Sequence, residues 1–487
     1  MNRWTRTKMG LGGMLLFFGF ACGGYAKIIH VPQDPGMVNI YVAMSQARNG
    51  DEIIVSPGVY VGIVGIETNV NVHSLDPTNP AIVNQTIIKL SPTDLYTNAV
   101  ITFSGNASLN ETCRLAGFTI TGGGTGISGN RTKATIEYNH IYGNNARVPA
   151  YPPGTPSAGG GIDSCAGLIQ NNIIELNTAN LGSGLIGCEG VIQNNIIARN
   201  VCWPASQGPS LGSGCAMDYS SGTIRNNTIV DNLIHGVNGK TIGGGLANCT
   251  GAIYNNIIWH SDPALTAEYV NNAPPAYSCI KGWTGDGTGN FNIDPRLANV
   301  APDTQLDITK ARQNDYHLKP DSPCIDAGVT SGSLTTDFTG LPVRGKVWRT
   351  QGVHGDGTHT DIGAYEFNPG PLSLWVPAED EPGRSGRPLT VLWASAADAG
   401  IGSFMLELLQ GGLPVAGLGH VEVPPGAHDT FETAVSVQAM LPPELPTGTN
   451  YVLRARWSDD GTTTTDSAPF AIAHQNAVLG RAWKAYR

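Results

Sequence analysis

The sequence predicts an all-β protein whose centre is a right-handed parallel β-helix, followed by a C-terminal β-sandwich. The first observation behind this prediction is a short phrase that occurs five times between residues 136 and 261. Each copy has asparagine three places and isoleucine five places after an apolar start, and the copies start at Ile136, Ile169, Ile192, Ile224 and Ile253. Fixed phrases at intervals of 23 to 33 residues (192−169 and 169−136) are typical of stacked repeats with loops of variable length.

The spacers supply the second observation, a glycine phrase at residues 159–161, 182–184, 212–214 and 243–245. Short β-branched segments bounded by Gly and Asn, with no helical apolar stripe, indicate three short strands per unit. Units stacked roughly 4.8 Å apart would bury their isoleucines in continuous columns. Because an asparagine amide both donates and accepts, we expect Asn172, Asn195 and Asn227 to lie in one file. An antiparallel sandwich is the alternative, but its hairpins would favour Asn-Gly turns over Asn-Asn.

The charge balance excludes one class of partner. Only 14% of the 487 residues are charged, and the formal net charge is −10. No basic face is therefore present to release phosphate counterions, so we expect no nucleic-acid partner. Low charge suits a solenoid whose faces are uncharged and polar, and we expect the chain to be a monomer.

Residues 1–26 have the pattern of an export signal. Arg3, Arg6 and Lys8 precede an apolar run over residues 9–21, and small residues offer a cleavage site near Ala26. The run is too short and too glycine-rich to span a membrane, and no later segment has the length and apolarity to do so. Cys22 leaves a lipoprotein alternative open, although the residues before it lack the usual aliphatic side chain. The mature chain is therefore expected to be secreted or held at the cell surface.

Eight cysteines remain after such a cleavage. Three of them fall four places after a glycine phrase and are expected to form an inward column of small apolar thiols: Cys165, Cys188 and Cys249. A metal cluster is disfavoured, because paired Cys-x-x-Cys spacing and histidine partners are lacking. Two candidate disulfide pairs for an oxidising compartment are Cys279 with Cys324 and, more weakly, Cys202 with Cys215.

Residues 27–60 are predicted as strand, helix and strand. Helical apolar spacing runs over residues 38–48, and a helix there would cap the open end of a solenoid. A Gly50-Asp51 turn and an apolar strand then lead into Pro57-Gly58-Val59-Tyr60. This order resembles the opening of the pectin-lyase-like β-helix superfamily, which implies a right-handed parallel β-helix over residues 27–260.

Less regular rungs are predicted at residues 70–75, 86–88, 100–103 and 115–122. Two loops rich in Pro and Gly, at residues 147–157 and 202–213, carry aromatic side chains. Such loops either build a binding face on one side of a solenoid or are solvated insertions.

After residue 261 the phrase stops, and residues 261–370 are expected to close the second end of the solenoid. Two phrases stand out, Ser322-Pro-Cys-Ile-Asp-Ala-Gly328 and Asp361-Ile-Gly-Ala-Tyr-Glu366. They resemble the C-terminal part of secreted bacterial β-helix proteins of the choice-of-anchor Q type, over residues 253–367. That resemblance implies surface display more than chemistry.

Proline and glycine at residues 369–371 mark a boundary, and residues 371–474 carry short strands with turn signals. Strands are predicted at residues 372–376, 389–393, 404–409, 434–437, 451–457 and 470–473, which favours a β-sandwich. The segment is similar to an Ig-like module of Ser/Thr-rich, surface-anchored fungal proteins. Residues 475–487 form a tail that reads as a short helix.

A β-helix presents one residue per rung in straight rows, so the repeated phrase also predicts a surface. One place after each start stand Glu137, Gln170, Gln193, Arg225 and Tyr254. Six or seven places after the starts stand, among others, Tyr142, Glu175, Arg199, Asp231, Trp259 and His260. If these rows face outward, they form a polar and aromatic strip that would suit an extended sugar chain. A solvated face without a ligand is the alternative.

Catalytic chemistry has less support, and we assign no catalytic residue. Hydrolysis needs two carboxylates across one bond, and Glu175 and Asp231 stand two rungs apart, roughly 9.6 Å. β-Elimination needs a base, for which Arg199 and His260 are candidates, and often a cation. A weak Ca²⁺ site or a series of Asx turns would explain the alternating oxygens of Asp286, Asn290, Asn292 and Asp294.

Two classes of function follow. The favoured one is an exported, cell-surface β-helix protein that binds or displays against extracellular polysaccharide and needs no cofactor. The alternative is a polysaccharide lyase or glycoside hydrolase on the same scaffold, since a fold does not determine its function.

Overall fold

A computed structural model of the chain describes residues 26–91, 98–104, 109–146, 159–203, 214–235, 241–260, 267–300, 314–319, 322–330, 334–340, 360–367, 372–375, 383–395, 402–423, 435–457, 464–467 and 469–474. The expected signal segment, the loop at 147–157, most of the loop at 202–213, the boundary at 369–371 and the tail lie outside these residues. The fold is all-β, and most strands of residues 28–280 are parallel and stacked, which is consistent with a parallel β-helix. Within the described residues no helix has the length and apolarity needed to cross a membrane.

Three long sheets run side by side along this part of the chain. Sheet A has ten strands, in the order Ile28–Val31, Glu52–Val55, Asn71–Ser74, Arg114–Ala116, Thr135–Glu137, Leu168–Gln170, Val191–Gln193, Thr223–Arg225, Ala252–Tyr254 and Pro275–Ala276. Sheet B has nine, in the order Gly58–Val61, Thr86–Lys89, Thr119–Thr121, His140–Tyr142, Ile173–Glu175, Ile196–Ala198, Thr228–Val230, Ile257–Trp259 and Cys279–Ile280.

Sheet C has eleven strands and one irregularity. Its order is Val64–Ile66, Ala99–Phe103, Thr125–Ser128, Ile162–Asp163, Leu185–Ile186, Met217–Asp218, Thr241–Ala247, Leu233–His235, Val201–Cys202 and Thr178–Ala179, with Ala267–Val270 paired to Thr241–Ala247. The pairing of Thr241–Ala247 with Leu233–His235 is antiparallel, whereas the other pairings are parallel.

The predicted isoleucine columns are present. The phrase starts pair rung to rung along sheet A, from Ile136 to Ile253, and the second isoleucines do the same along sheet B, from Ile141 to Ile258. All of these side chains are 3% exposed or less and belong to one continuous core. Burial of each isoleucine contributes about 1.5–3 kcal/mol, so the columns are the main apolar stabilisation of the stack.

The predicted asparagine file is also confirmed. Asn139, Asn172, Asn195, Asn227 and Asn256 bond side chain to side chain at 3.0–3.1 Å between sheets A and B. A second file runs along the next corner through Asn144, Asn177, Asn200 and Asn232. The first residue of each Asn-Asn pair does not join the file. It forms the bend of the chain in the left-handed conformation, with φ of 50–56°, at Asn171, Asn194, Asn226 and Asn255.

Two short helices accompany the first rungs. The predicted helix is Ile40–Gln46 (α1), where the Asn39 side chain accepts from Val42 N at 3.0 Å and the buried residues Ile40 and Ala43 join the core. A second helix, Pro80–Gln85 (α2), was not predicted, although Asn79 caps it and proline stands in its first turn.

One predicted alignment is wrong. The glycine phrase at residues 212–214 was matched to those at 159–161 and 182–184, but Leu185 pairs with Met217, so that Ala216 occupies the place of Gly184. The stack therefore uses residues 214–216 in this rung, two places later than the visible glycine phrase. The glycine phrase was misleading here because Ala216 fits at the position where the neighbouring rungs have glycine.

Residues 291–367, termed the covering segment below, occupy a place that was not predicted. They were expected to close the end of the solenoid, but their described parts pack along the outer face of sheet B. Leu297–Asn299 pairs antiparallel with Asp315–Leu318, and Ala364 N donates to Thr228 Oγ1 at 3.0 Å. The outer face of sheet B is apolar in its middle rungs, which explains the cover: Ile196, Ala198 and Val230 pack against Tyr316, Ala364 and Tyr365.

The C-terminal part has two antiparallel-rich sheets over a core that includes Leu406, Tyr451 and Leu453. The three-stranded sheet has Leu372–Trp375, Pro388–Ser395 and Val435–Met440, and the six-stranded sheet has Gly383–Arg384, Phe470–Ala473, Gly448–Trp457, Gly402–Gln410, Leu413–Val423 and Thr464–Asp466. The predicted strands are all present here, and Leu413–Val423 is an addition.

Candidate functional site

The outer face of sheet A carries one of the two predicted rows. Glu137, Gln170, Gln193, Arg225 and Tyr254 pair in successive rungs, each next to a core isoleucine and pointing to the opposite side. The row therefore lies parallel to the axis of the stack, with one polar side chain every rung, about 4.8 Å apart. It is called the sheet A row below.

The side chains of the sheet A row bond one another in sequence. Gln170 Nε2 donates to Glu137 Oε2 at 2.6 Å, and Gln193 Nε2 donates to Gln170 Oε1 at 2.7 Å. Arg225 then donates to Gln193 Oε1 from Nε at 2.9 Å and reaches the Tyr254 hydroxyl at 3.1 Å. Because a carboxylate accepts at one end and a guanidinium donates at the other, both glutamine amides point in the same direction.

The hydrogen-bonded chain extends further than the repeated phrase predicted, into the neighbouring row of sheet A that contains Thr135. Arg114 Nε donates to Glu137 Oε1 at 2.5 Å and Arg114 Nη1 reaches Asn71 Oδ1 at 3.2 Å. Asn71 Nδ2 donates to Glu52 Oε1, which also lies 2.9 Å from His73 Nε2. The signal for these residues was weak, because the first rungs lack the Asn-Asn phrase that gives the register.

The exposed fraction of the side chain differs from one member of the sheet A row to the next. Gln193 and Arg225 are only 6% and 7% exposed, whereas Gln170 and Tyr254 are half-buried. A parallel row of half-buried small and aliphatic side chains runs beside it on the same face: Thr135, Leu168, Val191 and Thr223. The face therefore combines ordered hydrogen-bonding groups with an apolar strip, the two kinds of surface that a pyranose presents.

The second predicted row is buried in its middle rungs, and only Tyr142 and Trp259 at its ends are half-buried. Tyr142, Glu175 and Trp259 do pair in one row of sheet B, with Ala198 and Val230 between them, but the covering segment lies over it. Glu175 is 3% exposed, and Arg199, Asp231 and His260 beside the row are 2%, 3% and 5% exposed. The expectation of an outward strip at these positions is therefore wrong for sheet B, because its apolar rungs require a cover.

The buried polar groups of this face have specific partners. His140 Nε2 lies 2.8 Å from Glu175 Oε1, and His260 Nδ1 lies 3.5 Å from Asp231 Oδ1. Glu175 and Asp231 thus each contact an imidazole. They do not face one another across an open site, which removes the geometric basis for pairing them in hydrolysis.

Two further partners join this buried face. Arg199 Nη2 donates to Asn314 Oδ1 of the covering segment at 3.2 Å. Lys281 Nζ donates to the carbonyl oxygen of His260 at 2.5 Å and lies 5.6 Å from the Trp259 ring centroid. These contacts hold the cover and the last rung to sheet B, and they give the polar residues beside the row a structural role.

Two carboxylates that the sequence did not reveal share an outer row of sheet C. Asp163 pairs with Ile186, which pairs with Asp218, so the two lie two rungs or roughly 9.6 Å apart. Asp218 Oδ1 accepts from Asn248 Nδ2 at 2.9 Å, while Oδ2 has no partner among the described residues. Burial raises the pKa of Asp218 to about 6 and also raises the pKa of Asp163. The shifted glycine phrase hid this alignment.

An open cavity of 520 Å³ lies at the last rung of sheet C. Its lining includes Tyr269 and Trp283, whose rings meet edge to face at 5.5 Å, and the exposed residues Asn271 and Asp286. Gly285 allows the loop to approach the indole, since a Cβ there would meet Trp283 Cζ2 at 2.7 Å. Aromatic walls with amide and carboxylate groups at the rim are typical of small-molecule and sugar sites.

The proposed calcium ligands have other roles. Asn290 Oδ1 accepts from Ser278 N at 3.0 Å, Asn292 Oδ1 accepts from Gly282 N at 2.9 Å, and Asp294 Oδ1 accepts from Arg296 N at 2.8 Å. Backbone N–H groups thus occupy these oxygens, within a local turn at Asp294 and across 12 and 10 residues at Asn290 and Asn292. In the part of the chain that the structure describes, no group of three or more His, Cys, Asp or Glu residues could hold a metal ion.

Comparison of the chain with protein-family models, with curated proteins and with solved structures found no match in any of the three.

Proposed function

We propose that this chain is an exported surface protein that binds an extended extracellular polysaccharide along the outer face of sheet A. The observation that carries the proposal is the sheet A row, in which five successive rungs present hydrogen-bonded polar side chains in one line. A linear polymer lying along the axis would meet the same kind of contact at each rung. A compact ligand would use only one or two of them.

The chemistry of the row favours sugar over other polymers. Gln170 and Gln193 offer amide donors and acceptors, and their orientation is already set by Glu137 and Arg225, so little entropy is lost on binding. The adjacent strip around Leu168 and Val191 would support the apolar face of a pyranose ring. The Tyr269–Trp283 cavity would add an aromatic platform at the end of the solenoid.

The architecture proposed with this function is the one that the sequence favours. A signal segment at residues 1–26 would direct export, and a right-handed β-helix over residues 27–260 would be capped by α1. Residues 261–370 would be of the choice-of-anchor Q type, and residues 371–474 would form an Ig-like module that holds the β-helix at the surface. No cofactor is proposed, and the chain would act as a monomer.

Binding to a panel of purified neutral and uronate polysaccharides, followed by titration calorimetry on the best ligand, tests the proposal. Arg225→Ala should weaken binding at least tenfold, because the row loses its cation and Gln193 loses the donor that orients its amide. Arg384→Ala, an exposed arginine of the C-terminal sheets, is the matched control and should leave affinity unchanged. Equal affinity of both variants for the ligand, or no binding to any polysaccharide, would refute the proposed surface.

Hydrolysis is the second candidate, and the Asp163–Asp218 pair favours it over elimination. A separation of roughly 9.6 Å is at the upper limit for inverting glycosidases. Asp218, whose pKa burial raises to about 6, would serve as general acid once a substrate displaces the groups that leave it 0% exposed. New reducing ends that vanish in Asp218→Asn and Asp163→Asn, but persist in Glu175→Gln, would establish it. Binding without product would exclude it for the polysaccharides tested.

A further inference from the structure

The eight cysteines that the structure describes are all buried free thiols, and they fall into three separate clusters. Cys165, Cys188 and Cys249 lie in the core of the stack, as the predicted column requires. Cys279 and Cys324 lie outside that core, in the apolar cluster between sheet B and the covering segment. The second cluster joins two parts of the chain that are distant in sequence.

Cys279 and Cys324 approach one another from opposite sides. Cys279 pairs with Ile257 on the outer face of sheet B, while its neighbour Ile280 points into the core. Cys324 belongs to the covering segment, where its carbonyl oxygen accepts from Ile362 N at 3.0 Å. The two residues belong to the same apolar cluster, and both are 0% exposed.

We propose that Cys279 and Cys324 form a disulfide that fastens the covering segment to the last rung of sheet B. Each thiol loses one proton and one electron, and a low-molecular-weight disulfide such as oxidised glutathione takes up both electrons and both protons as two thiols. The bridge rests on the proposed export, since such oxidants persist outside the reducing cytosol. Its consequence is that the buried face around Glu175 and Asp231 stays covered even when the local packing fluctuates.

Contact between thiols is not sufficient by itself, and the core column shows why. Cys165 and Cys188 also touch, but they lie in adjacent rungs, where Glu189 N donates to Cys165 O at 2.8 Å. Side chains stacked in parallel keep a Cβ separation close to the rung spacing of about 4.8 Å, beyond the roughly 3.5–4.5 Å of a disulfide. Cys279 and Cys324 are not stacked in this way, because they lie on two elements that face each other across one apolar cluster. Cys165 and Cys188 therefore serve as an internal control.

The bridge must form while the covering segment is still open. The thiolate is the attacking species, and burial raises the pKa of Cys279 well above its ordinary value, with the Cys324 thiol adding to the shift. Once the segment has packed, the same burial protects the disulfide from reductants. We therefore expect fast bridging during folding and little oxidation or reduction of the folded protein.

Cys202 and Cys215 satisfy the same criteria independently. They share a small buried cluster with Ile234, and Cys215 Sγ donates to the carbonyl oxygen of Leu233 at 3.0 Å. Ser183 Oγ lies 3.2 Å from Cys202 Sγ, and the thiols of the pair are in contact. Cys202 lies in the strand Val201–Cys202, whereas Cys215 lies in the bend before the strand Met217–Asp218, so their side chains are not stacked in parallel. We assign them a second bridge.

Peptide mass mapping tests both bridges. The full chain is refolded in a glutathione redox buffer, denatured, alkylated with iodoacetamide without reduction, digested and analysed. We expect linked peptides containing Cys279 with Cys324 and Cys202 with Cys215, and alkylated Cys165 and Cys188. Alkylation of Cys279 and Cys324 in the refolded protein would overturn the first bridge, and alkylation of Cys202 and Cys215 would overturn the second.

A variant separates the bridge from a packing effect. Cys279→Ser should remove the oxidant-dependent gain in protease resistance of the covering segment, whereas Cys165→Ser should retain it. If both variants keep the oxidant-dependent gain in protease resistance, the fastening role is overturned. Linked peptides after refolding, but free thiols in protein taken from the producing cells, would support the bridge and count against export.

Discussion

The side-chain oxygen of Asn227 accepts two hydrogen bonds from Asn195 in the rung before it. Asn195 donates to Asn227 Oδ1 from its backbone N at 3.0 Å and from its side-chain Nδ2 at 3.0 Å. Asn227 in turn donates from Nδ2 to the carbonyl oxygen of Ile192 at 3.0 Å. Each amide in the file thus satisfies buried backbone groups of its neighbours, which is why serine can replace asparagine only at the last rung, at Ser278.

Asn227→Ala should therefore be strongly destabilising. It leaves the buried backbone N–H of Asn195 without its acceptor and removes the hydrogen bonds that Asn227 Nδ2 donates to Ile192 O and Asn256 Oδ1. Each loss costs about 1–3 kcal/mol before relaxation, so we expect a total loss of about 3 kcal/mol or more. Urea unfolding followed by circular dichroism would measure it. Asn171→Gly is the control, because glycine readily adopts the φ of 54° found there and the change should cost under about 1 kcal/mol. Equal losses in the two variants would show that the file is not a special stabilising element.

The sequence predicted the columns and the file because both follow from fixed offsets within one short phrase. Local pattern could not predict the covering segment, since its contacts join residues far apart in the chain, such as Asn194 and Thr336, 142 positions apart. For the candidate site, the sequence predicted correctly which residues align in rows. It did not predict that the covering segment buries Glu175 on sheet B while Gln170 on sheet A stays half-buried. Exposure is a tertiary property, and the phrase carries no information about it.

Smaller failures have local physical causes. The strand Leu413–Val423 was missed because Pro414 and several glycines interrupt its alternation, although it pairs with Gly402–Gln410 over its whole length. The Asp163–Asp218 alignment was missed because Ala216 replaces the marker glycine of its rung. In both cases the packing around the residue accepts a side chain that a local sequence rule excludes: proline in a strand at Pro414, and alanine in place of glycine at Ala216.

Removal of one amide should interrupt the sheet A row. Gln193→Ala deprives Arg225 and Gln170 of their shared partner, so we expect at least a tenfold loss of polysaccharide affinity and a stability loss of only about 1–2 kcal/mol. Titration calorimetry and urea unfolding on the same preparation separate the two effects. Gln193→Glu, which keeps an acceptor for Arg225 but loses the donor to Gln170, should fall between wild type and alanine. A glutamate variant weaker than alanine would contradict the hydrogen-bond order described.

The covering segment should be more stable in mild acid than in mild alkali. Burial raises the pKa of Asp361 from its ordinary 3.8 to about 7, and burial followed by the charge of Asp361 raises the pKa of Glu366 in the same direction. The folded state therefore binds these protons more tightly than the unfolded state. The resulting stabilisation is fully present below about pH 4 and is lost as the pH rises through about 7. Hydrogen exchange of residues 360–367 at pH 5 and pH 8 should show faster opening at pH 8.

Glu366→Gln tests the cause of that pH dependence. Its Oε1 can still accept from Asp361 N, as glutamate does at 3.2 Å, but it can no longer ionise. We expect slower exchange at pH 8 than in the wild type and a flatter pH profile, with little change at pH 5. A profile as steep as that of the wild type would show that Glu366 does not cause the effect, and would leave Asp361 or the overall charge of −10 as its source.

A file of glycines at the corner before sheet A should tolerate no side chain. Gly167, Gly190, Gly222 and Gly251 stand two places before the starts of successive phrases, and each contacts the backbone of the preceding rung. A Cβ on Gly222 would lie 2.2 Å from Gly190 O, and the φ of 121° there is itself unfavourable for alanine. Since backbone cannot move aside as a flexible side chain can, Gly222→Ala should cost about 3 kcal/mol or more. Gly65→Ala, which would meet no atom within 4 Å, is the matched control and should remain within about 0.5 kcal/mol of the wild type in urea unfolding. If Gly222→Ala unfolds at the same urea concentration as Gly65→Ala, the rungs are not stacked at the spacing that the isoleucine and asparagine files require.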